Sequence, residues 1–298
     1  MATGKHWAIA GAAALAMQLG AIGVASATPA FAVWLDGNTD ASCGGNGICT
    51  SLAAAFGAGS YQLVTSAQLD TAGFLSSNGF KTVIVSRYDS SFGTSLDSIA
   101  AANVASFVGS GATQGGVAVF TNDAADNFYG ATGGDPYDAN LNQLFVNAAT
   151  YAEQSGHGYI GEFNGAAMAM TSNANGFAAL GLLQGSAGAL SSNSGEQFQY
   201  AVGPIGSGNP IDSGVTFPFT DPDTSTYLTR ITGANSNNIV DIYSDPLANG
   251  LPAVLANSYV ISGGGQNNPI PEPATFGLFG VGVLGLGLAR LLRQRQRA

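Results

Sequence analysis

Positively charged side chains are scarce in this sequence, and most of them stand near its ends. Of the eight Lys and Arg residues in 298, only Lys81, Arg87 and Arg230 lie between residues 33 and 270. The same region holds every carboxylate of the chain except Glu272. A surface this acidic repels phosphate backbones and anionic lipid. Nucleic-acid binding is therefore excluded.

Histidine and cysteine are scarce as well. Beyond the first residues the only histidine is His157, and no Gly-x-Ser-x-Gly motif occurs, which disfavours serine hydrolases with a histidine base. The two cysteines, Cys43 and Cys49, lie in "SCGGNGICT", where an exported chain would form a disulfide around a glycine-rich loop. No metal site and no cofactor is predicted.

Acidic loops leave one alternative open. Asp221 and Asp223, or Asp135 and Asp138, could bind calcium, which prefers oxygen ligands. Aspartate beside proline more often forms a turn, and neither loop has the glycine and terminal glutamate of a helix-loop-helix calcium site.

The amino end has the composition of a signal peptide. Lys5 and His6 precede an uncharged apolar run from Trp7 to Val24, and two small-x-small cleavage sites follow. This layout predicts a secretory signal peptide over residues 1–32. The alternative is a retained membrane helix, because the run is close to spanning length.

The carboxyl end combines an apolar run with arginines. After a glycine-rich linker at 263–270, residues 275–292 carry one charge, Arg290, and further arginines follow. Such a segment is long enough for a membrane helix whose arginines stay in the cytoplasm. The body would then lie outside the inner membrane.

This tail resembles the PEP-CTERM sorting signal of Gram-negative bacteria. The resemblance is carried by a Pro-Glu-Pro motif, an apolar helix and a terminal arginine cluster, in that order. It implies that an exosortase-type enzyme recognises residues 271–298, removes them and sends the body to the cell surface or matrix, and it implies an association with exopolysaccharide and biofilm. The residues that carry the signal are Pro271, Glu272, Pro273, Arg290 and Arg293.

The body alternates short β-branched runs with helical segments, the pattern of a parallel α/β sheet. It predicts a flavodoxin-like, doubly wound α/β domain over residues 33–195, with strand order 2-1-3-4-5. Short alternating stretches at 196–262 predict a β-rich extension of the same domain. The five predicted strands are 32–36, 61–65, 81–87, 115–121 and 158–163.

Polar residues follow the predicted strands at their carboxyl ends, where ligands bind in open α/β sheets. We expect them to form a site for a polar ligand such as a glycan. Arg87 could hold a carboxylate or sulfate, or could pair with a neighbouring aspartate. The predicted ligand-binding residues are Asp36, Asn38, Arg87, Asn122, Asp123 and Asn164.

The stretch "GYIGEFNGAAMAM" resembles the nucleophile elbow of the class I glutamine-amidotransferase-like superfamily, which includes the ThuA-like proteins. Catalytic members carry a cysteine where this chain has Phe163, and no histidine follows position 157. The resemblance implies a shared fold without the amidase chemistry.

Two functions remain from different classes. The first is a non-catalytic protein of the cell surface or extracellular matrix. The second is an exported hydrolase acting on a glycan or related polar substrate, with Glu162 as acid-base candidate and Asp36 or Asp123 as its partner. Carboxyl groups that face each other across an open pocket would favour the hydrolase.

Overall fold

The computed structural model describes residues 28–35, 47–86, 96–122, 124, 137–162, 182–191, 198–221 and 227–257. The predicted signal peptide lies almost entirely outside these residues, and the sorting tail lies wholly outside them. Most of the predicted ligand-binding residues also lie outside the described residues, namely Asp36, Asn38, Arg87, Asp123 and Asn164. The same holds for Cys43, one of the two cysteines.

Eleven strands and five α-helices are found in the described residues. The strands are β1 Phe31–Leu35, β2 Tyr61–Leu63, β3 Thr82–Ser86, β4 Val117–Phe120, β5 Gly158–Glu162, β6 Leu183–Ser191, β7 Gln199–Val202, β8 Phe219–Thr220, β9 Tyr227–Ala234, β10 Ile239–Tyr243 and β11 Pro252–Ala256. The helices are α1 Gly47–Phe56, α2 Ser66–Leu69, α3 Phe74–Ser77, α4 Ser98–Val108 and α5 Ala139–Glu153.

The central strands are buried from end to end. Every residue of β1, β3, β4 and β5 is buried, as expected for parallel strands covered by helices on both faces. These strands consist mostly of apolar residues and glycine and do not alternate between apolar and polar positions. The predicted α/β class with a largely parallel sheet is therefore confirmed.

The strand order differs from the prediction in one respect. The parallel part of the sheet has the order β2-β1-β3-β5-β4, so the flavodoxin-like order 2-1-3-4-5 is wrong for its last two strands. β5 pairs in parallel with both β3 and β4. Hydrophobic patterns locate strands along the chain, but they do not show which neighbours a strand takes. After β4, the chain passes through the amphipathic helix α5 and returns as β5 to the position between β3 and β4.

Right-handed crossovers explain where the helices lie. The connections from β1 to β2 and from β4 to β5 run in one direction across the sheet. The connections from β2 to β3 and from β3 to β4 run in the opposite direction. Helices α1 and α5 therefore cover one face, whereas α2, α3 and α4 cover the other. Their buried side chains fall into two separate cores accordingly. No helix among the described residues is long and apolar enough to span a bilayer.

The later strands extend the same sheet. β11 pairs antiparallel with β4 and is followed by β10, β7 and β8, giving nine strands, while β6 and β9 form a separate pair. Asn257 holds the start of this extension, because its Oδ1 accepts from Val117 N at 2.8 Å and its Nδ2 donates to Gly115 O at 2.8 Å. The predicted β-rich extension is thus present as antiparallel strands.

Candidate functional site

Glu162 lies at the carboxyl end of β5, beside the end of β3. Residues Val85 and Gly161 are paired in the parallel register, so the next residues along, Ser86 and Glu162, are neighbours. Alternation along each strand places both on the face covered by α1 and α5. Ser86 Oγ donates to Glu162 Oε2 at 2.9 Å.

The Glu162 carboxylate is shielded from solvent. The residue is 2% exposed and Ser86 is fully buried. A buried carboxylate is tolerated when hydrogen bonds replace its water, and Ser86 supplies one of them. The predicted partners of Glu162 in acid-base catalysis, Asp36 and Asp123, lie outside the described residues. The catalytic assignment of Glu162 stays a prediction.

Asn122 follows β4 and links the two parts of the sheet. It is fully buried, and its Nδ2 donates to Asp221 Oδ2 at 3.0 Å. Its backbone forms an isolated antiparallel bridge with Leu228. Asp221 is also fully buried and lies just after β8, with its N–H donating to Phe198 O at 2.8 Å. Asn122 therefore binds another part of the chain, and its predicted role in ligand binding stays a prediction.

Aromatic residues of the antiparallel strands surround this contact. The ring of Tyr200 is stacked on Phe219, with 4.7 Å between the centroids, and Tyr243 OH forms a hydrogen bond with Thr121 Oγ1 at 3.0 Å. Burial raises the pKa of Tyr200 well above its ordinary value, and Tyr243 and Asp221 raise it further. Tyr200 therefore stays protonated, although its buried hydroxyl has no hydrogen-bond partner.

Sequence reasoning missed a second pair of acidic residues. Asp241 is fully buried in β10, and Asp212 ends a one-turn 3-10 helix at Pro210–Asp212. Burial raises the pKa of both groups, to about 7 for Asp212, and the nearby Asp212 carboxyl raises the pKa of Asp241 further. The two aspartates are 29 positions apart in the sequence, so no local pattern could have joined them.

Asp241 lies at a β-bulge between β10 and β11. The pairing between β10 and β11 shifts register on both sides of this residue. Bulges re-aim side chains and are frequent beside functional sites. In the described residues no group of three or more histidine, cysteine, aspartate or glutamate side chains could hold a metal ion, so the two aspartates form a pair rather than a larger cluster.

A shallow cleft of about 440 Å³ lies at the opposite, amino end of the parallel strands. His157 lines it from the turn before β5, and its Nδ1 lies 3.0 Å from Val108 O. This histidine precedes β5 while Glu162 ends the strand, so the two cannot act together. The other residues lining the cleft include Ser76, Phe80, Ser106, Phe107 and Thr113.

Cys49 is buried in the first turn of α1 and is not a free thiol. Because Cys43 lies outside the described residues, the Cys43–Cys49 pairing stays a prediction.

A family match covers the carboxyl-terminal tail. Residues 269–294 match the family described as the PEP-CTERM protein-sorting motif. This motif is recognised by exosortase, and it indicates exosortase-dependent export to the surface or exterior of a bacterial cell. No curated protein and no solved structure matches the chain.

Proposed function

We propose that this chain is an exported protein of the bacterial cell surface or extracellular matrix, with a non-catalytic α/β body. The observation that carries the proposal is the sorting motif at residues 269–294. The burial of Glu162 against Ser86 supports a structural role for the one described candidate acid. A general acid has to reach its substrate, and a carboxyl group that is enclosed and hydrogen-bonded cannot do so without rearrangement.

Processing proceeds in stages under this proposal. Residues 1–32 direct secretion and are removed, and residues 275–292 hold the chain in the inner membrane while the arginines stay inside. The exosortase-type enzyme then removes the tail near Pro271-Glu272-Pro273. The released body carries the Cys43–Cys49 disulfide and associates with exopolysaccharide through the polar residues at the strand ends.

The resemblance of the body to the glutamine-amidotransferase-like superfamily fits the same role. Phe163 stands where catalytic members have their nucleophile, and no histidine follows it in the sequence. We therefore propose that any shared ancestry concerns the fold and not the reaction.

Mass spectrometry of the protein recovered from its native host tests the sorting step. We expect the wild-type protein to lack everything beyond the Pro-Glu-Pro region, and a Glu272→Ala variant to keep its tail. Asn268→Ala, just outside the matched segment, is the control and should be processed normally. Recovery of full-length wild-type protein in the membrane fraction would contradict removal of the tail.

A glycan screen tests the non-catalytic role. The full chain is assayed for glycan binding and for glycan hydrolysis, together with Glu162→Gln. We expect binding without turnover, and binding unchanged in the variant. Hydrolysis that disappears in Glu162→Gln would replace the proposal with the exported hydrolase.

A further inference from the structure

The two aspartates at the antiparallel end of the sheet are the least satisfied polar groups in the described part of the chain. All four carboxyl oxygens of Asp212 and Asp241 are buried without a hydrogen-bond partner. Buried carboxyl groups are normally hydrogen-bonded, paired with a cation or bound to a metal. The described residues supply no donor or cation to this pair, which leaves a proton shared between the two carboxyl groups or a cation from outside.

The backbone brings a third oxygen to the same place. A Cβ atom at Gly206 would collide with both Asp212 Oδ2 and Val240 O, so these two oxygens lie on the same side of the glycine and close to it. Val240 O accepts one hydrogen bond, from Gly203 N at 2.6 Å, and a carbonyl oxygen can accept two. The glycine turn thus lets a carbonyl approach the carboxyl pair.

No positive side chain in the described part of the chain offsets this pair. Within the described residues the only charged group that acts on Asp241 is Asp212, which has the same sign. Lys81 forms an ion pair with Glu153, at 3.6 Å, at the start of β3, and Arg230 is exposed on β9, outside the nine-stranded sheet. Electrostatics therefore favours a cation from solution.

We propose that Asp212, Asp241 and the carbonyl oxygen of Val240 bind a calcium ion. All three ligands provide oxygen, which suits a hard cation and disfavours zinc, because the site has no nitrogen or sulfur. Calcium accepts irregular geometry and completes its shell with water, which can enter beside the half-buried Asp212. Magnesium demands a near-octahedral arrangement, which one carboxyl group on the loop and a carboxyl group and a carbonyl from consecutive residues of β10 do not provide.

The ion would join the loop that carries Asp212 to the bulged strand. This loop already packs on α5, since Asn147 Nδ2 donates to Ile211 O and Ser213 O, both at 2.7 Å. A cation held by Asp212 and Asp241 would therefore connect α5, the loop and β10. The site is one of structural stabilisation, independent of the sorting tail.

Calorimetric titration of the full chain with calcium alone tests this site. We expect one site with a dissociation constant of about 10⁻⁴ to 10⁻³ M, the range of extracellular calcium modules. The affinity for calcium should fall at least tenfold in Asp241→Asn and in Asp212→Asn. The second variant is included because Asp212 is partly exposed, so its replacement disturbs the fold less. Glu153→Gln, which neutralises a carboxylate at the other end of the sheet, should bind calcium like the wild type.

The melting temperature provides the second readout. Calcium should raise it in the wild type and in Glu153→Gln, and should leave it unchanged in the two aspartate variants. The proposal would be overturned by a wild type without saturable calcium binding, by equal binding in Asp241→Asn, or by magnesium binding at least as tight as calcium binding. A carboxyl pair that only shares a proton would give the first of these results.

Discussion

Glu162 in the parallel part of the sheet and Asp241 in the antiparallel part are both buried, but their surroundings differ. Glu162 receives a hydrogen bond from Ser86, placed beside it by the register of β3 and β5. Asp241 lies at a bulge and faces a second carboxyl group instead. The regular strand thus satisfies its acid, whereas the acid of the irregular strand receives no hydrogen bond from a donor group of the described residues.

The difference shows that burial alone does not identify a functional acid. A buried carboxylate with a hydrogen-bond donor contributes to folding, and a buried pair without donors costs stability until a proton or a cation arrives. Site predictions that rank acids by their position at strand ends select Glu162. Ranking them by unsatisfied oxygens selects Asp212 and Asp241.

The largest expected effect concerns Glu162. Replacing it with alanine leaves Ser86 Oγ without its acceptor and opens space in a closed interior, so the free energy of unfolding should fall by about 3 kcal/mol. Chemical denaturation of the full chain measures this. Glu153→Ala removes an acid from a surface ion pair and should cost at most about 1 kcal/mol; equal losses in the two variants would mean that Glu162 is not held as described.

Asp221→Ala should have the next largest effect, because it removes the acceptor of Asn122 Nδ2 at the junction of the two parts of the sheet. The free energy of unfolding should fall by about 2 kcal/mol. Adding Asn122→Ala should then cost less than Asn122→Ala costs alone. Additive losses in this double-mutant cycle would show that the two side chains do not interact.

The carboxyl pair of Asp212 and Asp241 predicts that stability depends on pH in calcium-free buffer. The folded state holds protons on Asp212 more tightly than the unfolded state, because burial raises its pKa from 3.8 to about 7. The resulting stability is complete below about pH 4 and is lost as the pH rises to about 7. The test measures the free energy of unfolding of the wild type and of the Asp212→Asn/Asp241→Asn double variant, with chelator, across this pH range. The wild type should lose stability relative to the double variant as the pH rises. A constant difference would contradict the raised pKa.

Two tyrosines give the smallest expected effects. Tyr243→Phe removes the hydrogen bond to Thr121 Oγ1 and should lower the free energy of unfolding by about 1 kcal/mol. Tyr200→Phe removes a buried hydroxyl that has no partner and should change it by at most about 0.5 kcal/mol. The reverse ranking by thermal denaturation would show that the hydroxyl of Tyr200 is bonded.

The sequence was informative where the physics is local. Runs such as "KTVIVSR" and "GGVAVFT" predict buried strands because their side chains are apolar over the whole length of the strand, and β3 and β4 lie within them. The amphipathic spacing of Leu141, Leu144, Phe145 and Ala148 likewise predicts α5, where all four are buried.

Long-range relations could not be obtained in the same way. After α5, the chain could place β5 at the outer edge of β4 or between β3 and β4. The hydrophobic pattern of the five strands is the same for both orders, so it does not distinguish them. The contact of Asn122 with Asp221 spans 99 positions, and that of Asp212 with Asp241 depends on a bulge. Glu162 could be placed at a strand end from the sequence, but its donor Ser86 could be found only from the register.

The most direct test compares neutral variants of the two buried acids in calcium-free buffer with chelator, at about pH 7.5. Glu162→Gln should lower the free energy of unfolding by about 1 kcal/mol, because it weakens a charge-assisted hydrogen bond. Asp241→Asn should raise it, because it removes a buried acid whose ionised form is disfavoured by burial and by the facing Asp212 carboxyl group. Changes of opposite sign are the predicted result. Changes of the same sign would contradict the account of one satisfied and one unsatisfied acid.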